Sequence, residues 1–143
     1  MATWRAEASS QAQADVDELI DAALAQAKKE LAKHGEFHPF GAKILRDGTV
    51  KTFAAQDLPG DTPKTLDLRA LFLATLLRKR DHLRAAALIA QGSDGKAIEL
   101  EVDHADGPSL AVRVPYERAF FGRKVTLGEP EVTPAAPFIW GPT

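Results

Sequence analysis

The chain has 143 residues, of which 18 are Lys or Arg and 20 are Asp or Glu, so its formal net charge is −2. This near-neutral balance creates no global field that would favour nucleic acid or an anionic membrane as a partner. The absence of cysteine excludes disulfides, thiolate catalysis, iron–sulfur clusters and zinc sites with Cys ligands. Since the length favours one domain and we find neither a secretion signal nor a run of about 20 apolar residues, we expect a cytoplasmic protein.

The first part of the chain predicts a polar arm over residues 1–9 and then a long amphipathic helix. A capping box can begin at Ser10, and Gly35 is a good stop signal. Acidic residues lie near the start of this segment and lysines near its end, as the helix dipole favours. Apolar residues recur at helical spacing and form one stripe, which consists of Val16, Leu19, Ile20, Ala23, Leu24, Ala27 and Leu31.

Residues 40–56 predict a β-hairpin, because Asp47-Gly48 is the strongest short-range hairpin dipeptide. With a two-residue turn, Ala42 would lie opposite Phe53. A loop with two prolines and a glycine follows, and then a second helix is predicted from about residue 65 to 81. Apolar residues surround most of this helix, which indicates that more than one neighbour buries it. The sheet would cover one side, and either the first helix or a second copy of the protein would cover the other.

Three consecutive strands are predicted over Arg84–Tyr116, where apolar and polar residues alternate. A two-residue turn at Asp106-Gly107 would mix the apolar and polar faces, whereas a three-residue loop over residues 105–107 keeps them apart. Gly107 would then occupy the last loop position, where a positive φ carries no Cβ penalty. This register places Val102 opposite Leu110, Leu100 opposite Val112, Ile98 opposite Val114, and Glu99 opposite Arg113 as an exposed ion pair.

The end of the chain differs in composition from the rest. Residues 120–127 can add a short strand, and from residue 128 onward the prolines indicate an extended tail. The apolar string 138–140 of this tail is expected to dock on the same domain or on a partner. We therefore predict a single α+β domain over residues 1–127 and a proline-rich C-terminal tail over 128–143. The predicted fold is an antiparallel sheet of about five strands with two helices, in the order α-β-β-α-β-β-β.

No pattern in the sequence predicts a catalytic residue, a cofactor site or a metal site. His34 and His38 have a spacing that suits a metal on a helix, but Gly35 and Pro39 argue against a helix there. His104 falls on the apolar phase at a strand end, as a satisfied histidine at the edge of the core would. None of these histidines is therefore assigned as a metal ligand.

Two charged groups have a structural and a functional interpretation. Glu99, Glu101 and Asp103 share one strand face and could bind a divalent cation. Their alternation is also the ordinary pattern of a solvated face, which we favour. The basic run 78–80, followed by Arg84, could meet a phosphate or an acidic protein. Cations at a helix C-terminus are also what the dipole favours, and we favour this structural interpretation.

The element order over about residues 10–117 resembles that of roadblock domains and the wider profilin-like arrangement. In those domains the hairpin lies beside the last strand of the meander in a five-stranded antiparallel sheet. The resemblance implies a non-catalytic scaffold that pairs through a strand and a helix, often on small GTPases. The strings EFHPFGAKILRDGTV, AIELEVDHADGPSLAVRVPY and PFIW are also similar to those of a family of bacterial proteins with no assigned activity.

Three functional hypotheses follow. The first is a protein-interaction or scaffold module without catalytic activity or cofactor, which forms a homodimer through the second helix or a sheet edge. Its candidate interface consists of apolar residues on that helix and on the tail, namely Leu68, Phe72, Leu76, Phe138 and Trp140. The second is a toxin-neutralising immunity protein, by analogy with other α+β domains of this size. The third is a small enzyme or ligand-binding domain with a site between hairpin and tail, near His38, Tyr116 or Trp140.

Overall fold

The computed structural model describes residues 4–54, 68–119 and 124–140, and these form an α+β fold around one antiparallel sheet. Two elements precede the first hairpin: α1 (Trp4–Glu7) and α2 (Ser10–His34). The remaining elements are β1 (Phe40–Leu45), β2 (Val50–Phe53), α3 (Leu68–Lys79), a 3-10 turn (Arg80–His82), β3 (Leu83–Gln91), β4 (Ala97–His104), β5 (Ser109–Arg118), β6 (Val125–Leu127) and β7 (Glu131–Pro134). The predicted loop around residues 58–65 lies outside the described residues.

The strands are arranged in the order β2-β1-β3-β4-β5-β6, and β7 pairs with β5. The hairpin therefore lies beside β3, the first strand of the meander, and not beside the last one as in the roadblock arrangement. Since β3 pairs with both β1 and β4, it is a central strand of the sheet. The antiparallel α+β class is confirmed, but the sheet order differs from the one that the resemblance implied.

The prediction of about five strands and two helices was incomplete. The structure has two strands beyond these five, β6 and β7, which pair with successive parts of β5. Strand β6 lies within residues 120–127, where the sequence indicated that a short strand could be added. Strand β7 arises from the tail that was expected to be extended. It lies at the sheet edge, where Pro134 is tolerated because no ladder partner needs its missing N–H. Within the predicted N-terminal arm, Trp4–Glu7 forms a short helix whose Trp4 ring is buried.

The loop predicted between β4 and β5 is confirmed. Leu100 lies opposite Val112, and the other three predicted pairs also face one another. Gly107 has a φ of 79°, in the left-handed region that favours glycine. The alternation of buried and exposed residues was therefore sufficient to determine the register of this hairpin.

The two-residue turn predicted for the first hairpin was wrong. Phe53 lies opposite Gly41 instead of Ala42, and Ile44 lies opposite Val50. This register leaves residues 46–48 as a three-residue loop that ends at a glycine with a φ of 92°. The β1–β2 and β4–β5 hairpins thus use the same loop class, in which Asp-Gly fills the last two positions.

Helix α2 ends as predicted but begins with a different cap. The Ser9 hydroxyl oxygen accepts a hydrogen bond from the Ala12 N–H at 3.1 Å, so the N-cap lies one residue before the predicted capping box. At the other end Gly35 has a φ of 77°, and its N–H donates to the Leu31 carbonyl at 2.8 Å. Among the described residues, no helix has the length and apolar character of a membrane span.

The sheet is covered on both faces. On the first face, α2 packs its apolar stripe against inward residues of β1, β3, β4 and β5. On the second face, α3 and Ile139 of the tail pack against β3 and the Phe53 ring. Strand β3 is buried on both sides, with Ala85 and Ala87 in the first cluster and Ala86 in the second. Such small side chains allow elements to approach a central strand closely from both faces.

Helix α3 buries one side only. Phe72 and Leu76 are 1% and 2% exposed, and the Phe72 ring meets the Phe53 ring edge-on with centroids 5.4 Å apart. On the opposite side, Leu77 is 38% exposed and is the large apolar side chain that the described residues leave in solvent. Of the residues that the structure describes, those that contact α3 cover the inner side of this apolar helix and leave Leu77 on its outer side exposed.

We predict that Gly41→Ala lowers the free energy of unfolding by about 1–3 kcal/mol, because a Cβ at this position would overlap the Phe53 ring. Urea denaturation measures this loss. In a Phe53→Ala background the same substitution should cost much less, since the ring that causes the overlap is gone. If Gly41→Ala lowered the free energy of unfolding equally in both backgrounds, the overlap with the Phe53 ring would not be the cause of the loss.

Candidate functional site

Helix α3 packs on β3 and leaves the neighbouring part of the second sheet face open. The open part is a groove of about 690 Å³ that extends over β4, β5 and β7. Its apolar lining includes Leu68 and Phe72 from α3 and Leu88, Ala90 and Ala111 from the sheet. The volume lies in the range of ordinary binding sites, and the wall is predominantly apolar.

The rim of this groove is charged and only partly neutralised. Arg69 donates from Nε and Nη2 to the two carboxylate oxygens of Glu101, at 2.7 and 2.6 Å. Arg113 donates to Asp94 at 2.9 Å. The predicted ion pair between Arg113 and Glu99 was therefore wrong, although the register places these two residues opposite one another as predicted. Glu99 and Glu131 also line the rim.

The side chains of Glu99 and Glu131, two carboxylates of the groove rim, are exposed. Within the described part of the chain, neither Glu99 nor Glu131 takes part in an ion pair. The groove therefore combines an apolar floor with two free negative charges at its edge.

The C-terminal tail is fixed to the sheet by a buried carboxylate. Asp103 is 0% exposed, and its Oδ2 accepts hydrogen bonds from three consecutive backbone N–H groups, those of Phe138, Ile139 and Trp140, at 3.1, 2.8 and 3.1 Å. Its Oδ1 accepts from the Ser109 hydroxyl at 2.5 Å. A buried charge is tolerated only when it is hydrogen-bonded in this way.

The same tail contributes apolar contacts to the second face. Ile139 is 2% exposed and belongs to the cluster of Phe72, Leu83 and Ala86. Full burial of a side chain of this size stabilises the fold by about 1.5–3 kcal/mol. The apolar string 138–140 thus docks on its own domain, which was one of the two predicted outcomes.

The predicted carboxylate row does not form a cation site. Asp103 is buried under the tail and is not solvated as predicted, and Glu101 is paired with Arg69. Only Glu99 keeps the solvated position that the alternation indicated. Across residues 4–54, 68–119 and 124–140, no group of three His, Cys, Asp or Glu side chains could hold a metal ion.

A second buried polar network lies on the opposite face, between α2 and the sheet. Asp15 Oδ1 accepts from Arg84 Nη2 at 2.6 Å and from Gln11 Nε2 at 2.9 Å, and its Oδ2 is 2.9 Å from His104 Nε2. The Asp106 N–H donates to His104 Nδ1 at 3.0 Å, so the proton of a neutral His104 ring lies on Nε2 and points to Asp15. The prediction of a satisfied histidine at the core edge is confirmed.

This network holds α2 to β3 and β4 and contains no nucleophile. Burial disfavours the charged form of Asp15, but hydrogen bonds from Arg84, His104 and Gln11 outweigh it, so the pKa of this carboxyl lies below its ordinary value. Among the hydrogen bonds of the described residues, no Ser, Thr or Lys side chain joins Asp15 or His104. Its composition is that of a structural network and not that of a catalytic triad.

The five predicted interface residues lie on the same sheet face but differ in accessibility. Phe72 and Leu76 are buried on the side of α3 that faces the sheet, whereas Leu68, Phe138 and Trp140 are half-buried. The sequence indicated the carboxylate row of β4, but not that Glu131 would join Glu99 at a groove rim or that Asp103 would anchor the tail. Neither leaves a sequence signal, because strand carboxylates usually face solvent and backbone N–H donors are present in every segment.

The pocket expected near Tyr116 or Trp140 has a different location. Tyr116 donates its hydroxyl proton to the Gly95 carbonyl at 2.7 Å and accepts from Gln91 Nε2 at 2.7 Å, so its polar group is used structurally. The groove approaches the predicted position only at Pro39, next to His38.

Comparisons with protein-family models, with curated proteins and with solved structures find no match to this chain. The candidate surfaces consequently rest on the chemistry and geometry of its own residues.

We predict that Asp103→Asn lowers the free energy of unfolding by about 2 kcal/mol or more, because the uncharged amide oxygen accepts the buried backbone N–H groups more weakly than the carboxylate does. In a Trp4→Phe background, Trp140 fluorescence reports whether the tail leaves the sheet, and we expect a red-shifted emission in the variant. The matched control is Asp106→Asn, the same chemical change at an exposed position. Unchanged stability and emission in Asp103→Asn would contradict the anchoring role of this carboxylate.

The depressed pKa of Asp15 predicts a defined loss of stability in acid. A carboxyl whose folded-state pKa is lowered stabilises the fold above its unfolded-state pKa, and this contribution disappears as the pH falls through the folded-state value. We therefore expect the difference in unfolding free energy between the wild type and Asp15→Asn to shrink below the ordinary pKa of 3.8. Urea denaturation over a pH series measures it. A difference that stays constant down to acidic pH would exclude the charged network.

Proposed function

We propose that the protein is a non-catalytic interaction module that forms a homodimer, in which α3 of each copy lies in the groove of the other. The observation that carries this proposal is the half-covered second sheet face. Helix α3 occupies one part of that face, and the adjoining part is an open groove with an apolar floor. A second helix packed there would complete the layer that α3 begins.

The outer side of α3 supplies an apolar ridge that suits this floor. Leu73 and Leu77 are four residues apart and therefore adjacent on one side of the helix. Leu73 is half-buried because it packs in part on the second-face cluster of its own chain, and Leu77 is 38% exposed. On the groove side, Ala90 and Ala111 are small and half-buried, which leaves room for side chains of a partner.

Charge complementarity supports a second copy of the chain as the occupant. Arg80 is exposed and lies in the 3-10 turn that directly follows α3, so a positive charge stands just beyond the end of the ridge. The groove rim offers the free carboxylates of Glu99 and Glu131. One chain thus carries both a basic-ended ridge and an acidic-rimmed groove, the self-complementary arrangement that a two-fold dimer requires.

The candidate interface residues have different tasks in this dimer. Leu68 lines the groove and contacts the partner helix directly, whereas Phe72 and Leu76 fix α3 to the sheet from beneath. Phe138 and Trp140 lie on the docked tail next to this layer and contribute their exposed portions. The interface is therefore assembled from the second helix and the tail together.

Sedimentation equilibrium at micromolar concentrations tests the proposal, and we expect the wild type to be a dimer. Leu77→Glu on the ridge and Ala111→Glu on the floor should each shift the protein to monomer, because a charge would be buried in the apolar contact. The matched control is Ala25→Glu, the same kind of change at an exposed position of α2 on the other face. A monomeric wild type, or a dimer unaffected by Leu77→Glu, would refute this arrangement.

A charge exchange tests the proposed pairing more specifically. Arg80→Glu alone should weaken the dimer by placing like charges together at the rim. Adding Glu99→Arg and Glu131→Arg should restore the association, since opposite charges meet again with reversed signs. Failure of the triple variant to recover, in a protein whose circular dichroism matches the wild type, would rule out contact between Arg80 and this rim.

A further inference from the structure

A second concave surface lies at the opposite end of α3, and its lining is basic. Lys43 and Lys51 from the hairpin, Arg78 and Lys79 from the end of α3, and His82 from the 3-10 turn surround a pocket of about 520 Å³. Leu45 and Leu83 complete the lining. Of the described residues that line the pocket, none is acidic. The fold thus brings four cationic side chains from three elements to one volume.

Among the described residues these four cations have no ion-pair partner, although the charge of Asp47 at the hairpin turn is felt at Lys51. Lys43 and Lys51 are directly opposite on adjacent strands, a like-charge placement that destabilises a sheet. Within residues 4–54, 68–119 and 124–140, none of Lys43, Lys51, Arg78 and Lys79 forms an ion pair. The Lys43 ammonium lies 5.4 Å from the centroid of the Phe53 ring, which orients it on the second sheet face.

The electrostatic consequence is visible at Lys43. Burial lowers the pKa of its ammonium below the ordinary value, and the positive charges of Lys79 and Lys51 lower it further. Cations at the end of α3 are what its dipole favours, whereas the two hairpin lysines belong to strands and reach the same pocket through the fold. An anion in the pocket would relieve the repulsion among all of these groups.

We propose that this pocket binds the phosphate group of a small organic phosphate. The cations converge on one concave volume, which suits a compact anion with several charges better than an extended polyanion. Arg78 offers a planar fork of donors for phosphate oxygens. Leu45 and Leu83 provide an apolar surface against which the organic part of the ligand can pack. The groove and this pocket share no lining residue, so the site does not depend on the homodimer.

Isothermal titration calorimetry at low ionic strength tests the site with two probes, pyrophosphate and ADP. We expect both to bind the wild type. Lys51→Gln and Arg78→Gln should each weaken binding roughly tenfold, the effect of losing one hydrogen bond to a charged group. The matched control is the double variant Lys28→Gln, Lys29→Gln on α2, which removes two exposed cations outside the pocket. It should bind both probes like the wild type.

A thermal-melting readout keeps loss of binding separate from loss of folding. Lys51→Gln removes one side of the opposed lysine pair, so its melting temperature without ligand should equal or exceed that of the wild type. Pyrophosphate should raise the melting temperature of the wild type more than sodium chloride of equal ionic strength does. Three outcomes would overturn the proposal: no binding of either probe to the wild type, equal weakening in the α2 control, or tighter binding of a glutamate-rich peptide than of pyrophosphate.

Discussion

The architecture depends on a central strand that must be buried on both faces. Ala85 and Ala87 of β3 lie beneath α2, while Ala86 and Leu88 lie in the cluster formed with α3 and the tail. A two-sided strand requires two covering layers, and the chain supplies a complete one on the first face. On the second face, the described residues assemble a cover from a short helix and a docked tail, and this cover ends before the sheet does. The candidate interaction surface is this incomplete layer.

The parts of the fold that could be predicted are those encoded by local alternation. The β4–β5 register followed from the requirement that Leu100 and Val112 share a face. The first hairpin was mispredicted because Asp47-Gly48 fits both a two-residue and a three-residue loop. In this hairpin Gly41 lies opposite Phe53 on the second sheet face, so a glycine and a large ring take the place of two apolar side chains packed across the strands. Burial of an aromatic ring over a glycine has no periodic signature.

The functional surfaces were harder to predict because they depend on contacts between distant segments. Asp103 receives donors that lie 35 to 37 residues further along the chain, and these are backbone groups that any sequence would provide. The basic run at residues 78–80 was apparent, but its meaning changed once the fold placed Lys43 and Lys51 beside it. Helix α3 thereby separates two chemically different concavities, an acidic-rimmed apolar groove and a basic pocket. Composition alone indicated only a near-neutral protein.

The central claim is that a second copy of the chain completes the cover of the second sheet face. Hydrogen exchange measured by mass spectrometry at low and high protein concentration tests it most directly, because each segment reports its own protection. Association should slow exchange in α3 and in the β4–β5 region with rising concentration, and leave α2 unchanged. Exchange that is independent of concentration in α3 and β4–β5, or protection that appears on α2 instead, would contradict the account.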